Sequence, residues 1–426
     1  MATVNGGDVE APLLEQYTNV SSAGGATMGQ TLGHVMVTIV GTGVLGLPYA
    51  FKASGWLAGS LGVVFAGIAT FYTMNLLVEC SKKLHQGESI RIETYGDLGF
   101  IALGNKGRYL TEIMVFISQA TCVIAYLIFI GQNLSSVFIT SIQIRPTTFI
   151  FFVVLPLEFA LSFIRSFTSL APFSIFADAC NALAVVIVLK DEMGVINGFS
   201  EKVAEANALD GIWGIPFAAG IAVFCFDGFT MTLPLESSMA DRKLHRRVLS
   251  LAFLGITIVY VFFGFLGYIA YGDDTQDIVT LNLPNDWSSI TVKIGLCVGL
   301  AFTFPIVMHP IYDMAEMRLK SRVWFIKICE QLHGAEWAGV HILRMLLLVS
   351  MAMTASFIPG FGAFISFTGS TVCALLAFVF PAAFHLRFLG PSLNMWRKVL
   401  DWIILSMGLV FAIYGSLVAV FGNSMV

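Results

Sequence analysis

The feature that most constrains this 426-residue chain is a series of long apolar runs separated by short polar segments. A helix needs about 20 mostly apolar residues to cross a bilayer. Only 12% of the residues are charged, about half the fraction typical of a water-soluble protein. The pattern predicts an all-α polytopic membrane protein with eleven transmembrane helices in one domain, residues 29–421. The predicted spans cover about 29–52, 56–79, 109–140, 148–165, 170–189, 212–235, 248–271, 289–312, 341–358, 361–385 and 399–421.

Basic residues indicate how the spans are oriented, because cytosolic loops carry an excess of Lys and Arg. If the N-terminus is cytosolic, only a few of the 23 basic residues fall on the opposite side of the membrane. These residues are Lys52, Arg145, Lys190, Lys202 and Lys293. The bias predicts a cytosolic N-terminus and a C-terminus that is lumenal or extracellular.

Residues 1–28 are polar, rich in glycine and free of Lys and Arg. This composition predicts a disordered cytosolic tail and excludes a signal peptide, which begins with basic residues. The segment from Glu10 to Leu14 reads EAPLL and resembles an acidic dileucine sorting signal. It favours a vacuolar or lysosomal membrane over the plasma membrane.

The first span contains the sequence VGTGVLGLPYAF, residues 40–51. Glycine lets a ligand approach the backbone closely, and proline removes a helix hydrogen bond. Gly41, Gly43, Gly46 and Pro48 together predict a helix that unwinds in mid-membrane. Unwound backbone at that depth must be surrounded by protein or line a cavity, so the break is a candidate binding site. The alternative is a kinked helix that packs closely through small residues.

The sixth span has a second interruption, Phe226-Asp227-Gly228, followed by Thr230, Thr232 and Pro234. Spans one and six are the first members of two five-span halves. Breaks at corresponding positions of two halves indicate an inverted-repeat transporter with its site between the breaks. The prediction is therefore a 5+5 repeat plus one extra helix.

Unwound helices suit a zwitterionic ligand. Free N–H groups at a helix start attract a carboxylate, and free carbonyl groups at a helix end attract an ammonium group. An α-amino acid carries both groups a short distance apart. Its side chain would lie among Phe224, Phe226, Phe229 and Tyr126, although each of these aromatic residues can equally serve ordinary helix packing.

Ionisable residues inside spans are functional candidates by default. Burial favours the neutral form of a carboxyl group, so Glu158, Asp178 or Asp227 can carry a coupling proton. Asp178 can alternatively make a structural hydrogen bond. A sodium site would need hydroxyl and carbonyl oxygens near the first break, and Thr303 is one candidate. A single threonine is thin support, and the residues favour proton coupling.

Four segments resemble the amino acid/auxin permease superfamily, and the branch of vacuolar (plant-type) or proton-coupled neutral amino acid transporters is the most similar. They are GTGVLGLPYAF, FDGFTMTLPLE, SLAPFSIFAD from Ser169 and FGAFISFTGSTVCALLAFVFPAAFHL from Phe361. The resemblance implies a LeuT-type fold and amino acid transport, usually proton-driven. It also implies backbone and side-chain contacts to the substrate in both breaks. These contacts are Gly41, Thr42, Gly43, Val44 and Gly46 in the first break, and Phe226, Asp227 and Gly228 in the second.

The chain departs from the family pattern at two positions. The family commonly has Glu at the position of Asp227, and it often has Gly near the position of Thr230. A shorter acid and a larger neighbour change the pocket. We expect a monomeric transporter of neutral, possibly aromatic, amino acids that needs no cofactor or metal and binds no nucleic acid. Membrane lipid surrounds it, and no enzyme motif is present in the sequence. The alternatives are a sodium-coupled amino acid carrier and a membrane sensor that binds amino acids with little transport.

Overall fold

The computed structural model describes residues 28–87, 92, 94–138, 144–163, 167–196, 199–211, 214–239, 244–284, 286–331 and 335–421. The predicted N-terminal tail lies outside these ranges except for Met28. The described residues are almost entirely helical, as the apolar runs predict. The all-α class is confirmed.

The helices before residue 206 form the first half of the described chain. They are α1 (Met28–Ile39), α2 (Leu47–Ser54), α3 (Trp56–Gly87), α4 (Tyr95–Leu103), α5 (Asn105–Phe138), α6 (Pro146–Leu161), α7 (Phe167–Val195) and α8 (Phe199–Glu205). The helices of the second half are α9 (Gly214–Cys225), α10 (Thr232–Ser238), α11 (His245–Tyr271), α12 (Trp287–Lys320), α13 (Val323–Gln331), α14 (Ala335–Phe357), α15 (Phe361–Ser392) and α16 (Met395–Phe421).

Eight helical segments within the described ranges are long and apolar enough to cross a membrane. They are α3, α5, α9 with α10, α11, α12, α14, α15 and α16. The other three predicted spans fall where α1 with α2, α6 and α7 lie. The total of eleven spans remains a prediction.

From sequence, the residues from Asp191 to Asp210 are predicted to form an acidic hydrophilic loop, but most of the described residues in this segment are helical. Helix α7 continues through Asp191 and Glu192 to Val195, and α8 follows at Phe199. The side chain of Glu192 is fully buried. Charge alone suggested a loop here, but contacts with neighbouring helices extend the helix beyond its apolar run.

Small residues bring α9 and α15 into close contact. A Cβ atom on Gly369 would lie only 1.8 Å from the carbonyl oxygen of Gly220. Nearby, the Ser366 hydroxyl donates a hydrogen bond to the Phe217 carbonyl at 2.8 Å. Close backbone approach through small residues is typical of helix packing in membranes. This contact fixes the position of α9 just before its break.

The last helix, α16, is mostly exposed to the surroundings and is held by a polar network. His385 Nδ1 lies 2.6 Å from Asp401 Oδ2, and both side chains are fully buried. The Tyr72 hydroxyl donates to Asp401 Oδ1 at 3.3 Å, while Arg397 Nη1 donates to Glu79 Oε2 at 3.1 Å. The same Glu79 oxygen is 3.4 Å from His385 Nε2. The network joins α3, α15 and α16.

Candidate functional site

The first helix is broken where the glycines predict. Helix α1 ends at Ile39, and Gly41 has an extended backbone with φ −106° and ψ −161°. Residues Thr42–Gly46 form a short 3₁₀ helix, and α2 begins at Leu47 with Pro48 in its first turn. The N–H groups at the start of such a helix have no partner within it. The predicted break is confirmed.

The sixth helix is broken in the same way. Helix α9 ends at Cys225, and residues 226–228 are not helical. Gly228 has φ −177° and ψ 10°, and a 3₁₀ turn, Phe229–Met231, leads into α10. A helix end again faces a helix start across a few non-helical residues.

The two breaks pack against each other through their glycines. A Cβ on Gly43 would lie 3.0 Å from Cys225 Sγ and 3.2 Å from Cδ1 of Phe224. In turn, a Cβ on Gly228 would lie 3.1 Å from Cγ1 of Ile39. Each break therefore places a glycine against the end of the other half-helix. Larger residues at these two positions would push the breaks apart.

Tyr260 of α11 bridges the two half-helix ends. Its hydroxyl oxygen is 2.9 Å from the Ile39 carbonyl oxygen and 3.1 Å from that of Cys225. The side chain is fully buried. These carbonyl groups lie at the ends of α1 and α9, where carbonyls lack helical partners. One shared hydroxyl hydrogen thus helps to satisfy both of them.

Asp227 places a carboxyl group beside the second break. The Ser118 hydroxyl of α5 is 3.4 Å from Asp227 Oδ2, and Cys122, one turn further along α5, is close enough to feel the Asp227 charge. Asp227 lies deep among the helices yet stays partly accessible. Its side chain therefore borders some accessible space. Gly41 also borders open space, because a Cβ built on it meets nothing within 4 Å.

The predicted contact residues differ in what they present to this cavity. Thr42, Gly43, Val44 and Gly46 are buried in the 3₁₀ helix. Phe226 instead turns its ring away from it. That ring is fully buried, with its centroid 5.7 Å from the stacked ring of Phe253 on α11. The Phe226 side chain therefore packs against α11.

Tyr126 lies on α5 one turn beyond Cys122, and the two side chains are hydrogen-bonded. With Ser118, these residues occupy positions i, i+4 and i+8, which share one face of a helix. Ser118 and Cys122 were not predicted. Hydroxyl and thiol groups in an apolar run are ordinary helix packing residues unless a partner from another helix is known.

Among the candidate ion-coupling residues, Asp227 lies in the second break, whereas no described hydrogen bond joins Glu158 or Thr303 to either break. The side chain of Asp178, on α7, lies outside the described residues. Glu158 on α6 is buried, and neither carboxyl oxygen has a hydrogen-bond partner in the described part of the chain. The Thr303 hydroxyl donates to the Gly299 carbonyl of its own helix at 3.0 Å. Within the described ranges, no cluster of three or more His, Cys, Asp or Glu side chains could hold a metal ion.

Residues 24–421 match the family described as transmembrane amino acid transporter protein. "Amino acid transporter ANT1" of Arabidopsis thaliana is 50% identical over 424 residues, 97% of each chain. "Vacuolar amino acid transporter 4" of Saccharomyces cerevisiae is 24% identical, over 98% of this chain and 62% of its own length.

Among solved structures, the inward-facing conformation of Mhp1 has a TM-score of 0.59 at 11% identity. The alignment covers 95% of this chain and 92% of that one. This likeness shows the fold alone, and it confirms the LeuT-type arrangement. The family match over nearly the whole length, together with the 50% identical relative, carries the assignment further: the chain belongs to the transmembrane amino acid transporter family.

Proposed function

We propose that this amino acid transporter is proton-coupled and carries neutral amino acids, which it binds between its two broken helices. The observation that carries the proposal is the reciprocal packing of the breaks, Gly43 on Cys225 and Gly228 on Ile39, beside the partly accessible Asp227. Non-helical backbone from both breaks and one carboxyl group thus lie close together. The substrate site would open alternately to one side of the membrane and then to the other.

The cavity chemistry supports a zwitterion. The first N–H groups of the 3₁₀ helix at Thr42–Gly46 would receive the substrate carboxylate. Asp227 would receive the ammonium group, because a carboxylate deep in protein is stabilised by a cation close to it. The proposed contacts are Gly41, Thr42, Gly43, Val44, Gly46, Asp227, Gly228, the backbone of Phe226, and Tyr126.

The side-chain end of the cavity supports an uncharged substrate. Phe224 and Cys225 lie beside Gly43, and Cys122 lies near Asp227. Apart from Asp227, these neighbours carry no charge. A cationic or anionic substrate side chain would lose its hydration without gaining a partner.

Proton coupling is the second part of the proposal. Glu158 and Asp178 are candidate carriers, and the buried, unpartnered carboxyl group of Glu158 supports protonation there. Thr303 remains the candidate for the sodium-coupled alternative. We also propose a vacuolar membrane with a cytosolic N-terminus and a monomeric transporter. The yeast relative named as vacuolar and the sequence around Leu13 and Leu14 support that location.

Uptake of labelled amino acids into proteoliposomes tests the proposal. A panel of neutral, acidic and basic amino acids is offered with a pH gradient, with a sodium gradient, and with neither. The proposal predicts that only the pH gradient drives accumulation, and only of neutral amino acids. Sodium-driven uptake would favour the carrier alternative. Saturable binding without uptake under any gradient would favour a sensor.

A further inference from the structure

A buried carboxyl group lies at the outer end of α7, where outer means the side opposite the predicted cytosolic loops. The Glu192 side chain is fully buried. Neither of its carboxyl oxygens has a hydrogen-bond partner among the described residues. Such a group is costly unless it binds something, and the function described so far does not use it.

Glu192 is wedged between α11 and the outer half of the broken first helix. A Cβ on Gly267 of α11 would lie 2.8 Å from Glu192 Oε1 and 2.5 Å from Cγ of Pro48. The missing side chain of Gly267 therefore makes room for the carboxyl group and the proline ring together. Pro48 belongs to the first turn of α2, directly after the 3₁₀ helix of the proposed substrate site. Any change at Glu192 acts on a helix that borders that site.

Asp191 and Tyr271 lie near Glu192, but neither can act as a positive counter-charge for its carboxylate. Asp191 precedes it on α7, and Tyr271 lies at the end of α11. Asp191 Oδ2 and the Tyr271 hydroxyl also lack hydrogen-bond partners within the described ranges. The Asp191 charge acts on Glu192, and like charges at this distance oppose a second ionisation.

The neighbouring cations are directed elsewhere. Lys52 of α2 donates to the Thr275 carbonyl at 3.3 Å, and Lys202 of α8 donates to the Ala270 carbonyl at 2.9 Å. Lys190, two residues before Glu192, lies near Asp286 instead. An ionised Glu192 would therefore be buried without a counter-charge. Its neutral form fits the site.

We propose that Glu192 receives a proton from the outer side of the membrane. Its protonation holds α2 in its packed position against α7 and α11. This inference rests on the proposed proton coupling and adds the residue that senses the proton. The neutral carboxyl group stays between Gly267 and Pro48. The ionised group requires water, so it must pull away from Pro48 and loosen α2 on the outer side. The proton thereby biases which face of the substrate site is open.

Thermal melting at different pH values tests proton binding without any transport. In the unfolded chain a glutamate ionises above about pH 4.3, whereas the buried Glu192 stays neutral to higher pH. Raising the pH thus deprotonates the unfolded chain first and lowers the stability of the folded protein. We expect the wild-type melting temperature to fall between about pH 5 and about pH 8 by more than that of Glu192→Gln.

Glu201→Gln is the matched control, because Glu201 is an exposed acid on α8 at the same membrane side. It should reproduce the wild-type pH dependence. An equal pH dependence in Glu192→Gln and wild type would overturn the proposal. So would a sodium-induced or calcium-induced rise in melting temperature that Glu192→Gln abolishes, because it would identify a cation site instead of a proton site.

Uptake by the same preparations separates this inference from the proposed function. If a pH gradient drives wild-type uptake, the ratio of uptake with and without the gradient should fall to about one in Glu192→Gln and stay at the wild-type value in Glu201→Gln. If Glu192→Gln still responds to the gradient, the role proposed for Glu192 is contradicted, but the proposed proton coupling is not. A wild-type protein that ignores the gradient would contradict the proposed coupling, whatever the melting data show.

Glu192→Asp covers the case in which Glu192→Gln does not fold. It keeps a titratable carboxyl group but shortens the side chain by one methylene, which moves the group away from Pro48. We expect its melting temperature to depend on pH with a displaced midpoint. A pH profile identical to that of the wild type would mean that residue 192 is not the source of the pH dependence, and would overturn the proposal.

Discussion

Gly43 lies directly against Cys225, so that a Cβ on the glycine would be 3.0 Å from the cysteine Sγ and 3.3 Å from its Cα. The contact joins the unwound part of the first helix to the end of α9. Contacts this tight leave little room for adjustment when backbone atoms are involved. The relative position of the two breaks, and with it the proposed substrate cavity, depends on the absence of a side chain at residue 43.

Replacing Gly43 by Val should abolish amino acid uptake while leaving a folded protein. The Cβ alone would press on Cys225 and Phe224, and two further methyl groups would separate the breaks or fill the cavity. Gly33→Ala is the control, because a Cβ at Gly33 meets nothing within 4 Å and alanine favours a helix. Proteoliposome uptake, with size-exclusion profiles as a check on folding, measures both. Wild-type uptake by Gly43→Val would disprove the placement of the site.

Tyr260→Phe should lower stability and slow transport without preventing folding. The change keeps the ring beside Phe226 but removes the hydroxyl between the Ile39 and Cys225 carbonyl groups. The Ile39 carbonyl still accepts from the Gly41 N–H group, but the Cys225 carbonyl loses the Tyr260 donor, and leaving a buried carbonyl without a donor costs about 1–3 kcal/mol. Thermal melting and initial uptake rates of the variant should both decrease. Tyr414→Phe, at a residue 41% exposed on α16, should change neither, and equal behaviour of the two variants would contradict the bridging role.

Asp227→Asn should weaken binding of neutral amino acids by at least about tenfold, or about 1.4 kcal/mol. The substitution preserves size but removes the negative charge that we assign to the substrate ammonium group. Ser118→Ala should have a smaller effect, because its hydroxyl contacts Asp227 only at 3.4 Å. Equilibrium binding of a labelled amino acid to purified protein gives both values. Unchanged affinity in Asp227→Asn would transfer the ammonium site to backbone carbonyl groups alone.

Asp401→Ala should destabilise the protein strongly, because it leaves His385 and Tyr72 without their shared partner. Removing one member of a buried polar pair costs about 3–5 kcal/mol. Lys398→Ala, at an exposed position of the same helix, should leave the melting temperature unchanged. The melting temperatures of both variants, measured in detergent, test this prediction. If the two variants melt alike, α16 is held by apolar packing instead of this network.

The sequence was most informative where local chemistry decides the structure. Clustered glycine and proline residues weaken a helix, so both breaks could be predicted from the residues near Gly43 and Gly228. The position of the Phe226 ring beside Phe253 could not be predicted in the same way. A break interrupts the helical periodicity, so the direction of a side chain within it cannot be read from spacing.

Residues whose role depends on distant partners could not be identified from sequence. Tyr260 contacts Ile39 across 221 positions, and His385 contacts Glu79 across an even longer separation. Glu192 looked like part of a polar loop because its neighbours are charged, yet tertiary contacts with Gly267 bury it. In each case another helix supplies the environment that gives the residue its role.

Substrate protection of a cysteine at residue 41 tests the central claim, that the amino acid binds between the breaks. Gly41 borders open space, so Gly41→Cys should fold and react with a small neutral thiol reagent faster than the native cysteines of the wild-type protein. Saturating neutral amino acid should slow this reaction, while Gly33→Cys, which also borders open space, should react at an unchanged rate. An unchanged rate at residue 41 in a variant that still binds the amino acid would place the substrate elsewhere.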